Sequence, residues 1–439
     1  MIRPNALRIE KQLQTTPLPW SMLLLLILFY TLFPTLRVLI IGTENAKNAW
    51  EYMVSALPDI ALVGLTAYLF LQFRKHMNSI QFQLLDLIVF FVFSCNVVLG
   101  SVLSQDLKLI VLGTRMTYLP MIMYACARLM QGNDFEVQYK LWLHRVMLWF
   151  TLWSALGLLF YLCLPNLQDQ WMEFMKANNG AYFIPRLNSI YYSPTVNGIF
   201  CATSCTYFLL QCVQKPKGWN LLWLSINFCA LLLSMSRGGI VIYLFIMCIA
   251  FVYFFKKWKS LLLLLGTQTV VFLVTLQMVG LSLGNFYWVF SSTKETLELQ
   301  EKVTRVQLWK DTFSHLQHKP GGYGIGKSGW IAYRFLKDTN VESAYLATDG
   351  WYLKLANETG FFGLISFTFL FLFLLFRLFF AKNKGASFFF FLVMTMVFMV
   401  NVVSNVLDYF MFNAIFWFLM GAYQNGCHDK PVFSKVLTE

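Results

Sequence analysis

Three arginines and one aspartate interrupt long apolar runs and are the first candidates for chemistry. Arg186, Arg237 and Arg305 lie in three separate polar segments, and Asp349 lies near the end of the longest of these segments. An arginine presents a planar fork of donors that suits the oxygens of a diphosphate. A carboxylate such as that of Asp349 can take the proton from an attacking hydroxyl. The set therefore predicts a site that holds an anionic leaving group beside a general base.

Each of these residues also has a structural interpretation. An arginine at a membrane surface can extend its guanidinium to lipid headgroups. An aspartate just before a helix is a favoured N-cap, and one carboxylate can serve both as cap and as base. From the sequence these alternatives stay open for all four residues.

A glycine-rich segment in the longest polar stretch imitates a nucleotide-binding loop. Residues 321–328 match Gly-x-x-x-x-Gly-Lys-Ser letter by letter. A phosphate-binding loop of that kind follows a strand, whereas helical spacing and then Pro320 precede this segment. We therefore expect no nucleotide here. Two alternatives remain: exposed amides, including those of Gly324 and Gly326, bind a diphosphate, or the segment is a simple flexible turn.

The composition identifies the elements that must position these residues. Of the 439 residues, 58% are hydrophobic and 13% are charged, and the mean hydropathy is +0.59. A soluble domain has roughly 25% charged residues. Many runs reach the roughly 18 uncharged residues that cross the hydrocarbon core as a helix, and the alternation of a membrane β-barrel is absent. We therefore expect an all-α polytopic membrane protein.

The net charge of +13 and the nine cysteines argue against other classes. The basic residues form small clusters rather than one patch, so we expect no nucleic-acid partner. The cysteines lie almost entirely within apolar runs and have no CxxC spacing, so we expect neither disulfides nor a metal site.

Twelve apolar segments are predicted to span the membrane: 19–41, 56–73, 83–104, 107–127, 144–164, 194–213, 219–236, 238–255, 260–284, 358–377, 386–403 and 406–424. Residues 1–284 then hold spans one to nine, residues 285–357 form one long loop, and residues 358–439 hold spans ten to twelve and a tail. Lysine and arginine cluster in alternate connections, which places those connections and both termini in the cytoplasm. The long loop then faces the periplasm. The centres of these spans are nearly free of charge.

The long loop has two predicted helices. Residues 292–295 have the form of a capping box, and apolar residues then recur at helical spacing. We expect an amphipathic helix over 294–317 on the outer membrane surface. A second helix is expected from Ala344 into span ten, with the apolar residues that follow Asp349 acting as interfacial anchors.

Four motifs are similar to those of one membrane-enzyme family. Arg186-Leu187-Asn188-Ser189 precedes a span, and Ser236-Arg237-Gly238-Gly239 separates two spans. Arg305-x-x-x-Trp309, followed by the glycine segment, opens the long loop, and Asp349-x-x-Tyr352-Leu353-x-x-x-x-Glu358-x-Gly360-x-x-Gly363 closes it. Together they resemble the bacterial O-antigen polymerase and O-antigen ligase superfamily (Wzy-type and WaaL-type enzymes).

The resemblance implies a GT-C-like membrane fold and glycosyl transfer at the periplasmic face of the bacterial inner membrane. It implies no metal, nucleotide or other cofactor. The partners would be undecaprenyl-diphosphate-linked glycans and inner-membrane lipids, with a chain-length regulator protein as a further candidate. The catalytic residues would be Asp349, Arg305 and Arg237, and the substrate would contact Arg186, Trp309, Tyr352, Gly324 and Gly326.

One departure from the family pattern favours a polymerase over a ligase. Ligases of this superfamily have a histidine where this chain has Asp349-Gly350. A polymerase lengthens a glycan on undecaprenyl diphosphate, whereas a ligase moves the finished glycan to lipid A core. A transporter of lipid-linked sugars is an alternative from another class, and it predicts charges buried within spans and broken helices. A non-enzymatic scaffold is the last alternative.

Overall fold

Apolar segments at membrane depth must satisfy their backbone groups internally, and a helix does so within one segment. In the computed structural model, the described residues form 14 α-helices and no strand. The structure describes residues 18–41, 49–73, 83–130, 135–164, 186–187, 189, 194–278, 305–329, 331–332, 350–381 and 384–425. The helices are α1 Leu18–Ile41, α2 Ala49–Phe73, α3 Leu84–Ser104, α4 Leu107–Thr117, α5 Ile122–Leu129, α6 Phe135–Cys163, α7 Pro194–Gln214, α8 Gly218–Leu233, α9 Arg237–Tyr253, α10 Trp258–Met278, α11 Arg305–His318, α12 Trp351–Phe379, α13 Lys384–Val403 and α14 Phe410–Gln424.

Each of the twelve predicted spans overlaps a helix, so the all-helical membrane fold is confirmed. Six of the helices are long and apolar enough to cross a membrane on their own, or seven if α4 and α5 form one span bent by 40°. The bend contains Pro120 in a short 3-10 turn, where the missing N–H of proline cannot continue the helix. The count of twelve crossings stays a prediction.

The predicted loop helices are confirmed in part. The amphipathic helix is present as α11, whose first described residue is Arg305, while residues 294–304 lie outside the described part. The second helix begins at Trp351, because Gly350 has a φ of 149° and is not helical. α12 therefore starts before residue 358, where span ten was predicted to begin.

α7 lies at the centre of the described helices. Almost all of its residues are buried, and it contacts α6, α8, α9, α10 and α13. Small residues let membrane helices approach closely. A Cβ on Gly198 would collide with the side chains of Ser234 and Ser236. α7 therefore fixes the turn between α8 and α9, which carries one of the candidate arginines.

An ion pair joins three helices at the end that the charge pattern assigns to the cytoplasm. Nε and Nη2 of Arg128 donate to the two carboxylate oxygens of Asp86, each at 2.9 Å. The hydroxyl of Tyr124 donates to the same carboxylate at 2.6 Å, and Nη1 of Arg128 donates to Asn425 at 2.6 Å. Paired donors of this kind satisfy a buried carboxylate fully, so α3, α5 and the end of α14 are held together.

A second ion pair is buried inside the bundle. Nζ of Lys354 lies 2.7 Å from Oδ1 of Asp408 and 2.6 Å from Oγ1 of Thr117. Glu358, one turn after Lys354, is fully buried as well. The centres of the predicted spans remain nearly free of charge, because Lys354 precedes predicted span ten and Glu358 is its first residue. The charge of Lys354 is tolerated inside the bundle because its partner, Asp408, lies in the turn before α14.

Replacing Lys354 by Met is expected to lower the thermal unfolding midpoint strongly. Removing one partner of a buried ion pair leaves the other charge uncompensated and costs about 3–5 kcal/mol. The matched control is Lys140→Met, because the Lys140–Glu136 pair is about 30% exposed and such pairs contribute about 0–1 kcal/mol. Scanning fluorimetry of detergent-purified variants measures both. Equal midpoints for the two variants would contradict a stabilising pair at Lys354.

Candidate active site

The segment that carries Arg186 is pinned to the turn between α8 and α9. The amide of Leu187 donates to the carbonyl of Leu233 at 2.9 Å. Nε of Arg186 donates to the carbonyl of Ser234 at 3.0 Å, and its Nη2 donates to that of Met235 at 3.3 Å. Two predicted site segments are therefore in direct contact, although 51 positions separate Arg186 from Arg237 in the sequence.

The turn itself has a strained backbone. Met235 has a φ of 48°, in the left-handed region that residues with a Cβ rarely adopt. Ser236 then caps α9, since its hydroxyl accepts from the amide of Gly239 at 3.4 Å. Strain of this kind persists only where neighbouring structure imposes it, and it is common at functional sites.

Arg237 is placed where a cation is least favoured. It is the first residue of α9, and the positive end of the helix dipole repels a cation there. Its Nε is buried and has no hydrogen-bond partner in the described part of the chain. A buried charged donor without a partner is costly. An anion bound at this end of α9 would remove both penalties.

The beginning of α12 meets the same end of the bundle. Gly238 lies next to α13, since a Cβ added to it would be 3.8 Å from the side chain of Val403. A Cβ on Gly350 would be 2.8 Å from the carbonyl of Val402. The amide of Gly350 also donates to the side chain of Asn405 at 2.9 Å. The end of α13 therefore connects the start of α9 with the start of α12.

Asp349 and the side chain of Arg305 lie outside the described residues. Asp349 directly precedes Gly350, so its backbone adjoins the start of α12. Arg305 is the first described residue of α11. The structure thus brings Arg186, Arg237 and the neighbour of Asp349 to one end of the bundle, and it leaves the position of the Arg305 guanidinium open.

Trp309 and Tyr352 take part in packing. The ring centroids of Trp309 and Phe313 are 5.9 Å apart, and Trp309 rests against the core. Tyr352 is buried, and its hydroxyl donates to the carbonyl of Phe398 at 3.3 Å. Trp351, Tyr352 and Leu353 are all buried, so the prediction of interfacial anchors is wrong. The cause is that the first turn of α12 packs inside the bundle and not at the membrane surface.

The glycine turn, residues 320–329, is held by hydrogen bonds within the protein. The amide of Gly324 donates to the carbonyl of Glu358 at 2.8 Å. The amide of Gly326 donates to Oε1 of the same residue at 2.9 Å. Binding of a diphosphate by these two amides would require them to leave their partners.

The glycine turn also packs too closely for a side chain. Gly324 has a φ of 107° and Gly326 a φ of 79°, and a Cβ on either would collide with the backbone of Ser104 or Leu109 respectively. The amide of Ile325, between them, donates to a carbonyl of α3 at 2.9 Å. The expectation of a simple flexible turn is therefore wrong, because the segment is wedged between α3, α4 and α12.

The flank of the glycine turn is basic. Nζ of Lys319 lies 4.4 Å from the ring centroid of Tyr323. Burial lowers the pKa of the Lys327 ammonium, and the nearby charge of Lys319 lowers it further, while Asp106 opposes the change. Like charges repel, so a negatively charged group beside the two lysines would be stabilised.

Sequence reasoning missed the polar residues in the first turns of α12. Lys354 and Glu358 are four positions apart in an otherwise apolar stretch, which places them on one helix face. That spacing was the available signal, and assignment of residues 351–357 to the loop concealed it.

The described helices form a multi-pass membrane protein that gathers candidate site segments at one end. At residues 221–368 the chain matches the family model Wzy_C, described as O-antigen ligase, and this match supports the O-antigen polymerase and ligase superfamily. The resemblance seen in the sequence is thereby confirmed. The matched region includes Arg237, Arg305 and Asp349 but not Arg186. No curated protein matches the chain.

The family match carries functional information at a coarse level. Enzymes of this family are membrane glycosyltransferase-like, and the match supports an O-antigen polymerase or ligase activity with lipid-linked glycans as substrates. It does not distinguish a polymerase from a ligase.

The two arginines are expected to differ in their effect on stability. Arg186→Ala removes two charge-assisted hydrogen bonds to carbonyls, each of which contributes about 1.5–3 kcal/mol. Arg237→Ala removes a guanidinium whose Nε has no partner among the described residues. Scanning fluorimetry of the purified variants without substrate should therefore show a lower midpoint for Arg186→Ala only. A larger decrease for Arg237→Ala would contradict this assignment.

Proposed function

We propose that the protein is an O-antigen (surface polysaccharide) polymerase. Its donor is a growing glycan on undecaprenyl diphosphate, and its acceptor is a repeat unit on a second undecaprenyl diphosphate. The reaction takes place at the periplasmic face of the bacterial inner membrane, with both termini in the cytoplasm. Neither a metal nor a nucleotide takes part.

The observation that carries the proposal is the position of Arg237. This cation lies at a helix N-terminus with a buried, unpartnered Nε, in direct chain continuity with the turn that Arg186 holds. A diphosphate could be the hydrogen-bond partner that this Nε lacks, because its oxygens accept from guanidinium donors in a bidentate manner. The backbone amides at the start of α9 favour the same charge.

The proposed step is a displacement at the anomeric carbon of the donor. The acceptor hydroxyl oxygen forms the new bond to that carbon, and the bond from the carbon to the diphosphate oxygen breaks. The lipid diphosphate leaves with the electron pair, while Arg237, Arg305 and Arg186 stabilise its developing charge. The acceptor proton passes to the carboxylate of Asp349 and from there to solvent.

The carboxylate at position 349 favours a polymerase over a ligase. Ligases of the superfamily resembled here have a histidine at the position of Asp349. The two reactions share a donor and differ in the acceptor. Strains that lack the protein would therefore differ: loss of a polymerase leaves one repeat on the lipid A core, whereas loss of a ligase leaves the core bare.

A transporter of lipid-linked sugars is the second candidate, because α12 has two features expected of one. Its helix is broken at Gly360, which has a φ of 67°, and it carries Lys354 and Glu358 in the interior. Broken helices and buried charges occur at transporter sites. The decisive difference is that a polymerase makes a longer product in detergent solution, whereas a transporter has no membrane to cross there.

The test uses the purified protein and one lipid-linked repeat unit in detergent, with a chelator and without nucleotide. The expected product is a regular ladder of lengthened glycans on gels or in mass spectra. Transfer to added lipid A core without elongation would establish a ligase instead. Unchanged substrate, together with flipping of the same lipid in liposomes, would establish the transporter.

Within this assay Arg237→Ala is expected to lower kcat by about 100-fold or more, the usual effect of removing a donor to a developing charge. The matched control is Lys217→Ala, which removes one exposed positive charge just before α8, at the opposite end of that helix from the candidate site. The control should keep the wild-type rate. Full-length ladders from Arg237→Ala at normal protein levels would refute the role of this arginine.

A further inference from the structure

α12 is interrupted at Gly360, and the glycine turn of the long loop supplies hydrogen-bond partners at the interruption. Gly360 has a φ of 67° and a ψ of −156°, so the helix of residues 351–359 does not continue directly into the helix of residues 361–379. Beyond the break the amide of Phe361 donates to the carbonyl of Pro320 at 3.0 Å. The glycine turn thus supplies a hydrogen-bond partner that the helix itself has lost.

The glycine turn also pairs with the carbonyls that end the first half of α12. The amide of Tyr323 donates to the carbonyl of Asn357 at 2.8 Å, and that of Gly324 donates to the carbonyl of Glu358 at 2.8 Å. The last carbonyls of a helix need partners from outside it. Here every partner named comes from the glycine turn, in the middle of the long loop.

The side chain of Glu358 completes this contact. It is fully buried, and its Oε1 accepts from the amide of Gly326 at 2.9 Å. A carboxylate that accepts from backbone amides forms charge-assisted bonds, which are roughly twice as strong as neutral ones. Glu358 is therefore the side chain that ties the glycine turn to α12.

The other end of this half-helix is fixed as well. Lys354 bonds to Asp408 and to Thr117, and Gly350 bonds to Asn405. Residues 350–359 are thus held at both ends by polar contacts, and the glycine turn joins them to α11 through a short connection. The glycine turn is consequently held at a fixed position relative to residues 350–359.

We propose that Glu358 is a positioning residue for glycosyl transfer. It clamps the glycine turn to residues 351–359, and the clamp fixes the position of α11, whose first described residue is Arg305, relative to Gly350, the residue after Asp349. Glu358 touches neither substrate in this assignment. The proposal rests on the proposed function, since it concerns the geometry in which that reaction takes place.

The clamp itself is tested without any substrate. Hydrogen–deuterium exchange of the purified protein reports the amides of Gly324, Ile325 and Gly326. In Glu358→Ala we expect exchange in peptides covering 320–329 to rise at least about 10-fold, the effect of losing about 1.4 kcal/mol of protection. Glu358→Gln keeps one acceptor oxygen and should rise less. The control Glu136→Gln removes a carboxylate from a pair that is about 30% exposed and should leave the exchange unchanged.

The consequence for the reaction is tested in the ladder assay. Glu358→Ala should lower kcat by about 10- to 100-fold, the effect of a misplacement of about 1 Å, while KM for the lipid-linked substrate changes less than about twofold. Glu358→Gln should recover part of the rate. The kcat values of wild type, Glu358→Gln and Glu358→Ala should therefore decrease in the same order as their exchange protection.

Distinct outcomes separate the failure of this inference from that of the proposed function. Unchanged exchange in Glu358→Ala, or faster exchange at full kcat, would overturn the positioning role. A rise in KM as large as the fall in kcat would show that Glu358 acts in binding. A wild-type protein that gives no ladder would overturn the proposed function and with it the catalytic half of this inference, while the exchange experiment still decides the clamp.

Discussion

A chain that leaves the helical path at membrane depth has to find its hydrogen-bond partners in the protein, because water is absent there. α12 leaves that path at Gly360. The glycine turn supplies the missing hydrogen-bond partners there: the carbonyl of Pro320 accepts, and the amides of Tyr323 and Gly324 donate. This constraint explains why the turn requires glycine: left-handed φ angles and contact with neighbouring backbone exclude a Cβ. The middle of the long loop, where it forms the glycine turn, is therefore part of the bundle.

The candidate site shows the opposite situation, because the buried Nε of Arg237 has no hydrogen-bond partner among the described residues. Arg237 begins α9, a position at which the helix dipole disfavours cations. Such an arrangement lowers the stability of the empty protein and raises its affinity for an anion. Arg186 differs, since its guanidinium is bonded to the turn before α9. It supports the shape of the site as well as its charge.

The sequence predicts those parts of the molecule that depend on local chemistry. Apolar runs of sufficient length gave the helices, and the motifs around Arg186 and Arg237 led to segments that are in contact. The surroundings of Lys354 could not be predicted in this way, because its partner Asp408 lies 54 residues away. For the same reason the glycine turn was expected to be flexible. Its rigidity comes from Ser104, Leu109 and Glu358, which a local pattern does not include.

The buried pair of Lys354 and Asp408 also bears on how the protein is made. A lysine on a membrane helix is costly to insert without its partner, by up to about 2.5–3.5 kcal/mol if it lies at the helix centre. Its partner is synthesised 54 residues later, a delay of roughly 3–10 s at about 5–20 residues per second. We expect the first turns of α12 to remain at the membrane surface during that interval, because Lys354 is still without its partner. The final depth of α12 in the membrane is therefore set only after Asp408, just before α14, has been synthesised.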